Sequence, residues 1–226
     1  MRFENTDELR GAEFVNVDLT GARFKEAMLV DVRMSGDVRG LFVNDVEVGP
    51  LIRAELDRRH PERKKLVPSN ADGVREAWAA VEGIWNSTME RASALPEALL
   101  HERVDGEWSF LETVRHLVFV IDAWISGNAL GRTGQFHPAG VAPTFILDPG
   151  AMGIDIDADP SLAEVVEVRN ERTDIVRELV AELTDADLNQ KTGEHAMLGC
   201  LWTLFDEEWH HHWYATRDLD TLTSRT

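Results

Sequence analysis

The sequence predicts a mainly α protein, a four-helix bundle with a small N-terminal head built from a short repeat. Three observations predict it. Beyond residue 68, four long segments place apolar residues at helical spacing, with one long Gly/Pro-rich crossing between the second and the third. Residues 9–34 instead repeat a large apolar residue every five positions, which suits neither a helix of period 3.6 nor a strand of period 2. The 226 residues suffice for a medium domain and a small one, divided here as 1–66, head and linker, and 67–226, bundle.

In the head the large residues are Leu9, Phe14, Leu19, Phe24, Leu29 and Met34. Small or β-branched residues sit at Ala12, Val17, Ala22, Ala27 and Val32. Such a chain turns a corner after each short segment and offers one large residue per side. The stretch GAEFVNVDLTGARFKEAMLVDVRMS resembles the pentapeptide-repeat family, and the resemblance implies a square right-handed β-helix. It covers little more than one coil, and a solenoid unit buries no core without a neighbour, so the coil is expected to pack on the rest of the protein. GLFVNDVEV then reads as a short strand pair around Asn44-Asp45 or as a final rung of the coil, followed by a short helix from Pro50 to Arg59. A basic, Pro-bounded linker comes next, with His60 on its surface.

The first bundle helix starts at a cap on Asn70 or Asp72 and runs to about Ala94, burying Val74, Ala77, Trp78, Val81, Ile84, Trp85 and Met89. Ser109 and Glu112 have capping-box spacing, so a second helix runs from there to about Leu130. Its stripe is Phe110, Val114, Leu117, Val118, Ile121, Trp124 and Ile125. After the crossing, a third helix covers about Ser161 to Leu183 and a fourth about Glu194 to Asp220. Ligand sites in such a bundle lie between facing helices.

Composition narrows the function. The net charge is -18 and uneven: residues 1–68 carry 12 Lys and Arg against 13 Asp and Glu, and the remainder carries 11 against 28. So acidic a bundle repels phosphate backbones, which argues against nucleic acid as a partner. No run approaches the roughly 18 apolar residues of a membrane span, and the start MRFENTDELR shows no secretory h-region. The expectation is a cytoplasmic protein with no membrane partner. The single cysteine, Cys200, excludes a disulfide framework and a Cys-rich zinc module, and reads as a buried, inert thiol.

The chemistry concentrates in WSFLETVRHLVFVIDAW on the second helix and LFDEEWHHHWYATRDL on the fourth. Residues four apart share a helix face one turn apart, a spacing that suits two metal ligands. Two such pairs are present, Glu207 with His211 and Glu208 with His212. The Trp-Ser start, the His-Leu in the second turn and the acidic/His cluster resemble the DinB-like bundle superfamily over roughly residues 70–222. That group includes mycothiol- and bacillithiol-dependent transferases and a maleylpyruvate isomerase. The resemblance implies three metal ligands, carried over to His116, Glu207 and His211. Glu207 stands where the family pattern has a histidine, and a carboxylate is still a competent ligand. The Glu208/His212 pair lies nearer the apolar stripe of Leu201, Leu204, Phe205, Ala215 and Leu219. His116 also lies off its own helix's stripe, so a site at the margin of the bundle favours Glu207/His211, with the other register left open.

Other polar residues are set aside: His210 as solvent-exposed, His195 as a weaker ligand candidate, and Asp122 as lying on a different face from His116. Arg217 and Asp218 read as a C-terminal ion pair or an interface element, and Trp108 and Tyr214 as core or pocket lining. The function the resemblance implies is a metal-dependent, thiol-using enzyme, an S-transferase or a cis–trans isomerase. Its ion would be divalent, zinc or nickel before iron, and its cosubstrates a low-molecular-weight thiol such as mycothiol and an electrophilic small molecule. The alternative is a non-catalytic scaffold or binding protein whose site has decayed at Glu207. A homodimer is left open, and no residue is assigned to the chemical step itself.

Overall fold

The computed structural model describes residues 1–15, 17–36 and 38–225. The chain forms two compact units, Met1–Gly49 and Pro50–Thr226.

In the first unit no strand forms within the described residues of 9–34, where the pentapeptide resemblance implies a β-helical coil. A single coil has no adjacent coil whose backbone it could pair with, and solenoid units rely on such neighbours. The five-residue period is nevertheless written into the backbone. Gly11, Gly21, Glu26, Asp31 and Gly36 all have positive φ, the conformation that turns a chain sharply. Turn hydrogen bonds from the Ala12 N–H to the Leu9 carbonyl, 3.1 Å, and from the Ala22 N–H to the Leu19 carbonyl, 2.9 Å, close two of these corners. The large residues at the period remain exposed, from 42% at Leu9 to 59% at Phe14 and Phe24. The sheet among the described residues is a hairpin of β1 (Phe42–Val43) and β2 (Val46–Glu47). Asn44 and Asp45 form its turn, with φ of 47° and 64°, the pairing a two-residue hairpin with two left-handed residues requires.

The second unit is helical. It takes in all of α1 (Gly49–Arg59) but its first residue, and then a 3₁₀ segment, Pro61–Leu66, which lies against α2 and α6. The four long helices are α2 (Ala71–Ser93), α4 (Phe110–Val120), α5 (Leu162–Glu182) and α6 (Met197–Thr223), with a short α3 (Glu97–Leu100) before α4. Packing runs around a ring: α2 meets α6 and α5, and α4 meets both as well. The starts follow side-chain chemistry. The Asn70 side chain accepts the Gly73 N–H at 2.8 Å, and both Ser109–Glu112 and Ser161–Glu164 form reciprocal capping boxes. The α6 stripe of Leu201, Leu204, Phe205, Ala215 and Leu219 is buried throughout. Among the described residues no helix is long and apolar enough to cross a membrane.

Three features depart from the sequence reading. The second bundle helix does not stay α to Leu130: it widens into a π-helix over Ile121–Ala129, with the Leu130 N–H reaching back five residues to the Ile125 carbonyl at 2.9 Å. The fourth starts at Met197 rather than Glu194, because Lys191 and Ala196 form a β-bridge and the Gly193 N–H bonds the Asn128 carbonyl at 3.1 Å. Finally, α4 is buried on nearly every side, since part of the crossing lies along its outer face.

Candidate metal centre

His116 comes from the middle of α4, and Glu207 and His211 from consecutive turns of α6. The capping box at Ser109 fixes the start of α4 and so the rotation at which His116 leaves it. The His211 Nε2 stands 3.1 Å from Glu207 Oε2, and the His116 Nε2 stands 3.8 Å from the same oxygen. One ligand atom from each of the three lies within 4.8 Å of the others. Ligands of one tetrahedral zinc stand about 3.4 Å apart, given bonds near 2.1 Å. The donor set therefore fits a single divalent ion with small side-chain adjustments.

The surroundings prepare these atoms. The His116 Nδ1 is 2.9 Å from the Val141 carbonyl, so the proton belongs on Nδ1 and the Nε2 lone pair faces Glu207. Its ring meets Trp108 at 4.6 Å and Phe119 at 5.9 Å, and Phe119 stacks in turn on Phe136. Trp108 also stacks on His211 at 5.9 Å. His116 is 5% exposed as a residue, whereas the Glu207 side chain is 36% exposed, so the cluster opens to solvent on the Glu207 side. Burial alone would raise the Glu207 carboxyl, but the imidazoles of His116 and His211 beside it outweigh burial and hold it down at about 2. Burial lowers His211 from its ordinary 6.5. Near neutral pH Glu207 is thus ionised and His211 neutral, the forms that bind a cation.

The other register points elsewhere. Glu208 is fully buried and takes a 2.6 Å ion pair from Arg169 of α5, whose guanidinium lies 5.0 Å over the Trp85 ring. His212 meets the Thr88 hydroxyl at 2.9 Å and the Trp85 ring at 5.6 Å. Both face α2 and α5 rather than His116.

The residues set aside fall as follows. His210 is half-buried rather than free in solvent, with its Nδ1 2.9 Å from the Asp206 carbonyl. His60 is half-buried and meets the Trp209 ring at 5.3 Å. His195 is exposed beside Trp124, away from the cluster. Arg217 pairs with Asp218 at 2.7 Å and with Glu107 at 2.5 Å, and lies 5.4 Å from the Tyr214 ring. Cys200 is buried, and burial raises its thiol. Two contributors escape a sequence reading. The Val141 carbonyl has no side-chain signature, and Trp108 precedes the helix whose histidine it covers.

Two imidazoles and a carboxylate thus face one another across two helices of a bundle, a group that could hold a metal ion. The family model of the DinB superfamily matches residues 80–215, more than half of the chain, and the chain belongs to that superfamily. A model of pentapeptide repeats, described with 8 copies, matches residues 8–36. No curated protein and no solved structure matches the chain.

Proposed function

We propose that His116, Glu207 and His211 hold a divalent metal ion, zinc or nickel before iron, and that the protein uses it to activate a low-molecular-weight thiol. The observation that carries this reading is the convergence of three ligand atoms from two helices within 4.8 Å. A divalent ion lowers the pKa of a coordinated thiol, so that sulfur is a nucleophile near neutral pH. The chain's own groups do the rest. Glu207 brings the negative charge that offsets the ion, and His116 and His211 present neutral nitrogens. Trp108 and Phe119 exclude water from the inner side. The open side at Glu207 is where a thiol and an electrophilic partner would enter.

The overall reaction is either S-transfer, in which a carbon–sulfur bond forms as the leaving group departs with its electron pair, or reversible addition to a conjugated acid, which allows cis–trans isomerisation. Mycothiol as the thiol rests on the family resemblance alone. Elemental analysis of protein purified without a His-tag or chelator, followed by thiol-consumption assays with electrophiles, tests the reading. One ion per chain with thiol turnover is expected. Absence of a stoichiometric ion, or of any gain in affinity over His211→Ala in a zinc titration, overturns it. One ion without turnover instead supports a binding scaffold.

A further inference from the structure

Part of the crossing, residues 136–141, forms a strap along the outer face of α4 and its π continuation, and it is tied down at three points. At one end the backbone N–H of His137 donates to Asp122 Oδ2 at 2.9 Å. In the middle the Arg115 Nε donates to the Ala139 carbonyl at 2.7 Å. At the far end the Val141 carbonyl accepts from the His116 Nδ1 at 2.9 Å, while the Val141 N–H reaches the Arg115 carbonyl at 3.3 Å. The strap also braces itself, with the Ala139 N–H on the His137 Nδ1 at 3.0 Å and the Gly140 N–H on the His137 carbonyl at 2.9 Å.

The anchors are costly groups to bury without a purpose. Asp122 is 1% exposed and Arg115 8%. Asp122 Oδ1 is further held by the Arg172 Nε of α5 at 3.0 Å, so its carboxylate joins the strap to a third element. A buried charge is tolerated when it is paired and hydrogen-bonded, and here each pairing ends on the strap's backbone or on a neighbouring helix. Asp122 sits where the helix widens, a place where irregular helices often carry functional side chains.

We infer that Asp122 and Arg115 are positioning residues that set the tautomer and aim of His116 through this strap, and thereby set how tightly the cluster holds its ion. The inference rests on the metal-centre reading for the ion, but the tautomer of His116 can be observed without one. A histidine whose Nδ1–H is held by a carbonyl keeps its Nε2 lone pair free for a metal, and such outer partners commonly change affinity 10–100-fold. Freed from Val141, the ring populates the Nε2–H form and turns, which blocks the ligand atom.

The test compares wild type with Asp122→Asn, Arg115→Met, Arg115→Lys and Gly140→Ala. Gly140 probes the strap without touching α4's charges: an added Cβ would stand 3.1 Å from the His137 carbonyl oxygen and 3.7 Å from the Phe119 Cβ. Two quantities are read: the His116 tautomer by long-range ¹H–¹⁵N correlation in metal-free protein, and affinity by cobalt absorption with zinc in competition. Asp122→Asn, Arg115→Met and Gly140→Ala should lose the Nδ1–H signature and bind about tenfold or more weakly. Arg115→Lys, which still offers a donor to Ala139, should stay within a few-fold of wild type. Folded variants with the wild-type tautomer and affinity overturn the inference. If Asp122→Asn does not fold, Arg115→Met and Gly140→Ala decide it by the same readouts. A wild type that binds no cobalt or zinc yet shows the tautomer shift in the variants sinks the metal reading and leaves the strap's control of His116 standing.

Discussion

Glu207 and His211 determine how the cluster responds to acid. In the unfolded chain the two groups take up protons near their ordinary values, 4.5 and 6.5. In the folded protein both are lowered, so it binds fewer protons than the unfolded chain just below each of those values. Stability therefore falls as the pH drops, first below 6.5 through His211, and then from 4.5 towards about 2 through Glu207. Discounted for the screening of a carboxylate more than one third exposed, the Glu207 part is on the order of 1–2 kcal/mol. Glu207→Gln has no such carboxylate, so wild type should lose roughly half that much more stability than the variant between about pH 5 and pH 3, with the rest lost as the pH falls on towards about 2. Urea denaturation of both proteins across that range measures it, and parallel losses would show that the histidines do not hold Glu207. The pairing of Glu207 with His211 was legible in the sequence because four-residue spacing on a helix is local. His116 could join them only through the family resemblance, since nothing local links α4 to α6. Its position off the apolar stripe suggested a bundle margin, yet the strap buries it there.

At the scale of the element, helix starts are set by side chains and helix interiors by what lies across from them. The capping box at Ser109 was visible as Ser-x-x-Glu, because an N-cap is a contact within one turn, and Ser161 and Glu164 have the same spacing. Ser161→Ala should cost about 1 kcal/mol, read in thermal or urea melts, with zinc affinity unchanged. Its box sits on α5, which contributes no ligand. A change in affinity on that substitution would mean that α5 transmits strain to the cluster. The π widening at Ile121–Ala129 left no comparable mark. It contains no proline, and its Gly127 backs onto the Gln135 side chain, a tertiary contact that no local pattern encodes. The late start of α6 has the same kind of cause, a β-bridge and a bond to the Asn128 carbonyl.

Across the whole molecule, the Arg169–Glu208 pair links α5 to α6 beside Trp85 of α2. Burial pushes the Glu208 carboxyl up, against the pull of the Arg169 guanidinium. Removing one partner leaves the other buried without its counter-charge, which typically costs 3–5 kcal/mol, whereas replacing both with apolar residues of similar volume is often neutral. Arg169→Met should therefore destabilise by about 3 kcal/mol or more, and Arg169→Met with Glu208→Leu should recover most of that loss. A double-mutant cycle in urea checks the pair, and simple additivity would deny the coupling. The bundle itself was legible because its helices announce themselves by apolar period and caps. The head was legible only as a period: the spacing of its large residues is present, but the strands implied by the resemblance are absent from its described residues. Its left-handed residues, at Gly21, Glu26, Asp31 and Gly36, keep a strict five-residue beat. Such a segment can lengthen or shorten without scrambling only in whole pentads. Deleting five residues leaves every later corner in phase, while deleting one moves all of them onto side chains chosen for straight stretches, so inherited length variation in the head should come in quanta of five.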